Sequence, residues 1–153
     1  MTRNVASVIE PLLRSGDVLL LSGDLGGGKT VFVQGLAAAM EIVDVVTSPT
    51  FVLSQVYEGR IRLHHVDVYR FERPEEIMDL DLPEMLSDDA VTAIEWGERI
   101  VDELPKDYLT IRIDLGSPDE PPDVRIFEFT PVGESWLERA SALNRVLLPF
   151  SCE

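Results

Sequence analysis

The residues from Gly23 to Thr30 read Gly-Asp-Leu-Gly-Gly-Gly-Lys-Thr, which matches the pattern G-x-x-x-x-G-K-[ST]. Glycines allow such a loop to turn several backbone N–H groups toward one anion, and a following helix adds its positive dipole end. The lysine of the pattern reaches the β- and γ-phosphates, and the hydroxyl after it ligates Mg²⁺. The loop therefore predicts a site for a nucleoside triphosphate with Mg²⁺. The predicted phosphate-binding residues are Gly23, Asp24, Leu25, Gly26, Gly27, Gly28, Lys29 and Thr30.

Two acidic residues each follow an apolar run that is typical of a buried strand. Asp67 comes after Ile-Arg-Leu-His-His-Val, and Glu95 comes after Val-Thr-Ala-Ile. Ligands of open α/β sheets bind at the carboxyl ends of the strands, so both acids are candidates to hold Mg²⁺ or to orient an attacking water. A solvated acid at a strand end is the alternative for each. His64 and His65 alternate in the first of these runs, so one is expected to face the core and the other the solvent.

Three further positions suggest contacts with a nucleotide. Thr50 follows Ser48-Pro49, where many phosphate-loop proteins have a threonine that contacts the γ-phosphate, although a turn or capping role is the alternative. Trp96 either covers the site or belongs to the core. Arg70 and Arg99 could neutralise phosphate charge, or could form surface ion pairs. The sequence contains no Asn-Lys-x-Asp segment for reading guanine, which favours ATP.

The elements that must position these residues follow from hydrophobic periodicity. Asp17 to Leu21 predicts a buried strand before the loop, and Lys29 to Met40 a helix after it. Phe51 to Tyr57 and Ile61 to Val68 predict a hairpin, and Ala90 to Ile94 a central strand. The remaining predictions are a helix over 4–15 shortened by Pro11, short helices near 74–78 and 83–87, strands over 109–115 and 124–130, and a final helix over 133–148. We therefore expect one α/β phosphate-loop NTPase domain over 1–153, with a mainly parallel sheet flanked by helices and an antiparallel hairpin.

Composition excludes several other classes of protein. The 153 residues carry a net charge of -15, which disfavours direct binding to nucleic acid or to anionic membranes. The single cysteine, Cys152, excludes a disulfide within the chain and fits a cytoplasmic protein. The N-terminal segment lacks the apolar core of a signal peptide, and no apolar run approaches the about 18 residues of a membrane span.

Four blocks in order resemble the TsaE (YjeE) family of small phosphate-loop ATPases, which are needed for the threonylcarbamoyladenosine modification of tRNA. The blocks are the loop Gly23 to Thr30, Ser48-Pro49-Thr50-Phe51, His65-Val66-Asp67-Val68-Tyr69-Arg70 and Ile94-Glu95-Trp96-Gly97-Glu98-Arg99. Many ATPases share the first block, whereas the other three at these spacings are far more specific. Gly27 stands where the family commonly has alanine, Phe71 where leucine is usual, and Pro11 is unexpected.

The resemblance implies roles for the matching residues. Thr30 and Asp67 would hold Mg²⁺, Thr50 would act as a switch-like threonine, and Trp96 would lie close to the nucleotide. Glu95 would be the acid near the γ-phosphate, the metal or the attacking water. The resemblance also implies a TsaB–TsaD pair as partners, with TsaD transferring the threonylcarbamoyl group to adenosine 37 and tRNA reached only through them.

Two other functions remain open at this point. A small-molecule kinase also pairs a phosphate loop with a short α/β domain, but the acidic segment 72–89 has Arg73 as its only basic residue and makes a poor lid. A nucleotide-gated interaction module would not need hydrolysis at all. For the ATPase we expect slow hydrolysis by the isolated chain, because the sequence shows no obvious arginine finger.

Overall fold

The computed structural model describes residues 1–49 and 53–151, except for the side chain of Pro74. The strands are β1 (Val18–Ser22), β2 (Ser54–Tyr57), β3 (Arg62–Asp67), β4 (Ala90–Glu95), β5 (Tyr108–Leu115) and β6 (Arg125–Val132). The α-helices are α1 (Thr2–Ile9), α2 (Lys29–Ala39), α3 (Leu82–Ser87), α4 (Glu134–Glu138) and α5 (Ala140–Leu147). Short 3-10 helices cover Glu10–Leu12, Pro74–Leu80, Gly97–Glu103 and Leu148–Phe150.

The strands form one sheet in the order β2-β3-β4-β1-β5-β6. The inner pairs β3–β4, β4–β1 and β1–β5 are parallel, and the outer pairs β2–β3 and β5–β6 are antiparallel. Strands β1 and β4 are buried on both faces, which explains why they read as continuous apolar runs. The predicted α/β fold with a mainly parallel sheet and an antiparallel hairpin is therefore confirmed.

Helices cover both faces of the sheet and bury a separate apolar cluster on each. On one face α1 and α2 pack against β1 and β5, with Phe32 and Leu36 fully buried. On the other face α3 and the 3-10 helix Gly97–Glu103 pack against β1, β3 and β4 through Met85 and Ile100. Both faces are thus closed to solvent, and the ends of the parallel strands are left for binding. No helix in the described ranges is long and apolar enough to cross a membrane.

The shortening of the first helix by Pro11 is confirmed, because α1 ends at Ile9 and continues as a 3-10 turn where Pro11 lacks the N–H that an α-helix needs. Two other local expectations change in the structure. The single helix expected over 133–148 breaks at Arg139, which has φ −92° and ψ −2° between α4 and α5. The expectation that one of His64 and His65 faces solvent is wrong, since both are buried. Phe51 and Val52, predicted to begin a strand, lie outside the described residues.

The break at Arg139 places its guanidinium against Asp17, just before β1. Two hydrogen bonds of 2.7 and 2.8 Å join the groups, both residues are buried, and the guanidinium lies 3.8 Å from the Trp136 ring centroid. We expect Arg139→Ala to lower the free energy of unfolding by about 3 kcal/mol, because it leaves a buried carboxylate unpaired. Urea unfolding measures this loss. Arg62→Ala is the control, since Arg62 makes two bonds to Asp88 at the surface and should contribute much less; equal losses would contradict the prediction.

Candidate nucleotide-binding site

A cleft of about 440 Å³ opens at the carboxyl edge of the sheet, where β1, β3 and β4 end. Among the residues that line it are Lys29, Thr30, Asp67, Glu95 and Trp96. Lys29 and Thr30 open α2, whereas Asp67 and Glu95 are the last residues of β3 and β4 and stand opposite each other in the parallel register. The structure thus gathers in one cleft residues that the sequence placed in three separate blocks.

A larger groove of about 990 Å³ lies away from this cleft, beside α3 and the 3-10 helix Pro74–Leu80. Its lining has acidic residues and no lysine, arginine or histidine: Glu75, Asp81, Asp102 and Glu103 carry the charge. Such a lining repels phosphate, so size alone does not make it a nucleotide site. The cleft at the carboxyl edge is the better candidate because it contains the phosphate loop.

The phosphate loop leads directly into α2, whose first residue is Lys29. The free N–H groups and the positive dipole end of that helix therefore lie at the cleft. The Lys29 ammonium donates to the backbone oxygens of Gly23 at 3.1 Å and Asp24 at 2.7 Å, and lies 3.9 Å from the Trp96 ring centroid. Phosphate oxygens could replace these carbonyl oxygens as acceptors for the ammonium.

The charge of Lys29 is set by two opposing effects. Burial lowers the pKa of its ammonium, because the charged form loses hydration. The negative charges of Glu95, Glu98, Asp24 and Asp67 oppose this shift by favouring the cation. The effect of burial is the larger, so the pKa of Lys29 lies below its ordinary value, and the acids around the cleft limit this shift.

Glu95 is the centre of a buried hydrogen-bonded group. The Thr30 hydroxyl donates to Glu95 Oε1 at 2.7 Å, and His65 Nε2 lies 2.8 Å from the same oxygen. The Glu95 side chain is only 5 % exposed and that of His65 is fully buried. Sequence reasoning did not name His65 as a site residue, although its position two residues before Asp67 places both on one face of β3.

Asp67 is held by its own turn and by the segment before β2. Its Oδ1 accepts the backbone N–H of Tyr69 at 2.9 Å, and its Oδ2 accepts the Ser48 hydroxyl at 3.3 Å. Thr50, the predicted switch threonine, lies outside the described residues, and its role stays a prediction. The contact from Ser48 shows that the chain leading to Thr50 runs beside the cleft.

Aromatic side chains form the wall of the cleft next to Lys29. The Tyr69 and Trp96 rings lie 5.0 Å apart at 43°, and Arg99 donates to the backbone oxygen of Tyr69 while facing both rings. Trp96 has a φ of 62°, and its backbone N–H donates to the backbone oxygen of Leu21 at 2.7 Å. This turn places the indole beside Lys29 of the phosphate loop, and a contact between Trp96 and a nucleotide stays a prediction.

Mg²⁺ fits the oxygen atoms that line the cleft. This ion takes few protein ligands and completes its shell with water and substrate phosphates. The described residues contain no cluster of three or more His, Cys, Asp or Glu side chains that could hold a metal without such help. The residues that could hold such an ion together with phosphates are Thr30, through its hydroxyl, and Asp67 and Glu95, through their carboxylates.

The β5–β6 hairpin supports the phosphate loop from behind, which sequence reasoning did not predict. The Arg125 guanidinium donates to the backbone oxygen of Gly27 at 2.9 Å, and the backbone N–H of Leu115 donates to Asp24 Oδ2 at 3.0 Å. The first contact joins residues that are 98 positions apart in the chain, and the second joins residues that are 91 positions apart. No local pattern could have indicated them, because they depend on the pairing of β5 with β1.

The glycines of the loop differ in what a side chain would meet. Gly23 has a φ of +111°, and a Cβ there would come within 2.1 Å of the Ile113 carbonyl oxygen; at Gly26, with a φ of +74°, nothing lies within 4 Å. We expect Gly23→Ala to weaken ATP binding at least about tenfold, because the loop must move away from β5. Gly26→Ala should lower the free energy of unfolding by only about 1 kcal/mol, which is the cost of a side chain at a positive φ, and should leave ATP binding nearly unchanged. ATP titration measures the affinity of each variant, and thermal unfolding measures its stability. An equal loss of ATP affinity in the two variants would count against this account of the loop.

Comparison with known proteins finds similarity over most of the chain. Residues 1–120 match the family model "Threonylcarbamoyl adenosine biosynthesis protein TsaE". The relative from Treponema pallidum, named tRNA threonylcarbamoyladenosine biosynthesis protein TsaE, is 44 % identical over 112 residues, covering 73 % of this chain and 83 % of the relative. The relative of the same name from Streptomyces coelicolor is 42 % identical over 138 residues, covering 88 % and 93 %. The crystal structure of Bacillus subtilis YdiB superposes with a TM-score of 0.78 at 34 % identity, covering 94 % of this chain and 87 % of that one.

Proposed function

Because the chain belongs to the TsaE family, we propose that it is an ATP-binding, slowly hydrolysing subunit required for threonylcarbamoylation of adenosine 37 in tRNA. The observation that supports the ATPase part is the arrangement of Lys29, Thr30, Asp67 and Glu95 around one cleft. Each carries a group that nucleotide hydrolysis needs: a phosphate-binding cation, a metal-binding hydroxyl and two carboxylates.

Nucleotide binding begins with the phosphate loop. Its backbone N–H groups and the N-terminus of α2 receive the phosphates, and the Lys29 ammonium exchanges two backbone carbonyls for phosphate oxygens. Thr30 and Asp67 would hold Mg²⁺ brought in with ATP, and the chemistry supplied there would be neutralisation of phosphate charge. Trp96 lies against the Lys29 ammonium, and Tyr69 packs against Trp96 on the same side of the cleft.

The hydrogen bond from Thr30 separates the roles of the two acids. A hydroxyl has one hydrogen to donate and two lone pairs, so Thr30 can keep its bond to Glu95 while its oxygen ligates Mg²⁺. Asp67, with its carboxylate at the cleft, would hold the metal or its waters. Glu95 Oε1 is taken up by Thr30 and His65, which leaves Oε2 to orient the attacking water.

The proposal also includes partner proteins that would bind the tRNA and carry out the transfer. A net charge of -15 disfavours direct contact with tRNA, so a TsaB–TsaD pair would bind the tRNA, and TsaD would transfer the threonylcarbamoyl group. A cytoplasmic location belongs to the same proposal. This chain would use ATP to drive repeated cycles of that assembly, and partners would supply what slow hydrolysis by the isolated chain lacks.

Reconstitution of tRNA modification tests the function directly. A TsaB–TsaD pair, tRNA, a threonylcarbamoyl donor and ATP with Mg²⁺ are combined with or without this chain. Modification that proceeds through many turnovers only when the chain is present supports the proposal. Equal modification without it would refute the role in tRNA. Labelled ATP offered with nucleoside and sugar acceptors checks the kinase alternative, for which transfer to an acceptor in preference to water is the required result.

A further inference from the structure

Within the described part of the chain, the His65 side chain has one polar partner, which is Glu95. Its side chain is fully buried, its Nε2 lies 2.8 Å from Glu95 Oε1, and its Nδ1 is buried without a hydrogen-bond partner among the described residues. A carboxylate is an acceptor, so Nε2 carries the hydrogen of this bond. The imidazole thus makes no hydrogen bond that would hold another part of the fold together.

The contact determines which oxygen of Glu95 remains available. Oε1 receives both the Thr30 hydroxyl and the His65 ring N–H, whereas no hydrogen bond from the described residues reaches Oε2. Two donors from different elements, α2 and β3, restrict the rotation of the carboxylate. The carboxylate can then present the same oxygen to the cleft in every cycle.

The two donors differ in what ATP does to them. In the proposed function the Thr30 oxygen would ligate Mg²⁺ as well as donate to Glu95, so this donor would be shared with the metal. His65 is buried behind Glu95 on β3 and is not itself among the residues that line the cleft. It is therefore the donor that can hold Glu95 in place throughout the reaction.

We infer that His65 is a positioning residue, which keeps Glu95 oriented for its water without touching the nucleotide. This inference rests on the proposed ATPase function. It adds a second layer of hydrogen bonding behind the candidate catalytic acid, of the kind that holds reactive groups in productive geometry.

The neighbouring histidine provides a matched control. His64 is also buried on β3, its Nε2 lies 2.9 Å from Asp88 Oδ2, and its Nδ1 likewise has no partner within the described ranges. Its side chain points to the opposite face of the sheet, and neither it nor Asp88 lines the nucleotide cleft. Changes at His64 therefore reproduce the loss of a buried histidine–carboxylate contact without affecting Glu95.

The experiment compares substitutions that differ in reach. Gln places an amide N–H near the position of Nε2, whereas Asn is too short to reach Glu95 and Leu has no donor. Single-turnover hydrolysis and ATP affinity are measured for His65→Gln, His65→Asn and His65→Leu, and for His64→Gln and His64→Leu. We expect His65→Asn and His65→Leu to slow hydrolysis by about 30-fold with ATP affinity within about threefold of wild type. The hydrolysis rate of His65→Gln should lie within about fivefold of the wild-type rate, and both His64 variants should hydrolyse ATP at nearly the wild-type rate.

Several results would overturn the inference. Wild-type rates in His65→Asn would leave the ATPase function standing and remove the role of His65. Equal losses at His64 and His65, or parallel losses of rate and affinity in all His65 variants, would indicate a purely structural histidine. In a Glu95→Gln background, His65→Asn should slow hydrolysis by less than a further factor of about three, because both changes act through the same carboxylate. If the two losses of rate multiply as independent effects do, His65 does not act by positioning Glu95. A wild-type chain that does not hydrolyse ATP, even with its partners, would refute the ATPase function and this inference together.

Discussion

Replacing Glu95 with glutamine is expected to slow ATP hydrolysis by about 100-fold or more, while ATP affinity stays within about threefold. Glutamine has the shape of glutamate, and its carbonyl oxygen can still accept from Thr30 and His65. What it loses is the negative charge that orients a water and takes up its proton. The loss should therefore appear in the rate of the chemical step and not in binding.

Glu98→Gln is the matched control for this experiment. Glu98 lies three residues further along the chain and also favours the Lys29 cation, but it is exposed and does not line the cleft. We expect its hydrolysis rate to stay close to wild type. Equal rates for Glu95→Gln and wild type would remove Glu95 from the chemical step.

The same variant decides whether hydrolysis serves tRNA modification. If Glu95→Gln binds ATP, fails to hydrolyse it and supports only about one round of modification, hydrolysis drives the cycle. If it supports many rounds, the chain is a nucleotide-gated interaction module. The reconstituted system described above measures this as modified tRNA formed per assembly.

Replacing Lys29 with alanine is expected to weaken binding of ATP with Mg²⁺ by about 100-fold, which corresponds to about 3 kcal/mol. The ammonium lies beside the phosphate loop, and its only hydrogen-bond partners in the described residues are two backbone carbonyl oxygens of that loop. Without it, the phosphates face Asp24, Asp67 and Glu95 with less positive charge to offset them. Binding should therefore fall more steeply than the loss of one neutral hydrogen bond would cause.

Tryptophan fluorescence provides the measurement, because Trp96 lies beside Lys29 whereas Trp136 is buried in the core. Lys106→Ala is the control, since Lys106 is the other lysine of the chain and is exposed at the amino end of β5. Its ATP affinity should equal that of wild type. An unchanged affinity in Lys29→Ala would contradict the assignment of the phosphate loop.

The parts of the molecule that the sequence determined are those with local causes. The phosphate loop depends on glycine conformations and on a lysine and a hydroxyl at the start of a helix, all within eight consecutive residues. Strands β1 and β4 are buried on both faces, so each reads as one apolar run, and Glu95 ends the second of them. Asp67 likewise ends β3, whose pattern also indicated a strand. Pro11 shortened the first helix as its missing N–H requires.

Only the tertiary structure decided which side chains meet. Thr30 and Glu95 are 65 residues apart and His65 and Glu95 are 30 apart, and their bonds depend on β3 lying beside β4 in one register. A shift of one residue would turn His65 away from Glu95, and no propensity of either segment prevents that shift. The burial of His64 and the break at Arg139 have the same origin, since Asp88 and Asp17 reach them from elements distant in sequence. Local chemistry thus supplied the candidate groups, whereas strand pairing and the packing of both sheet faces made them a site.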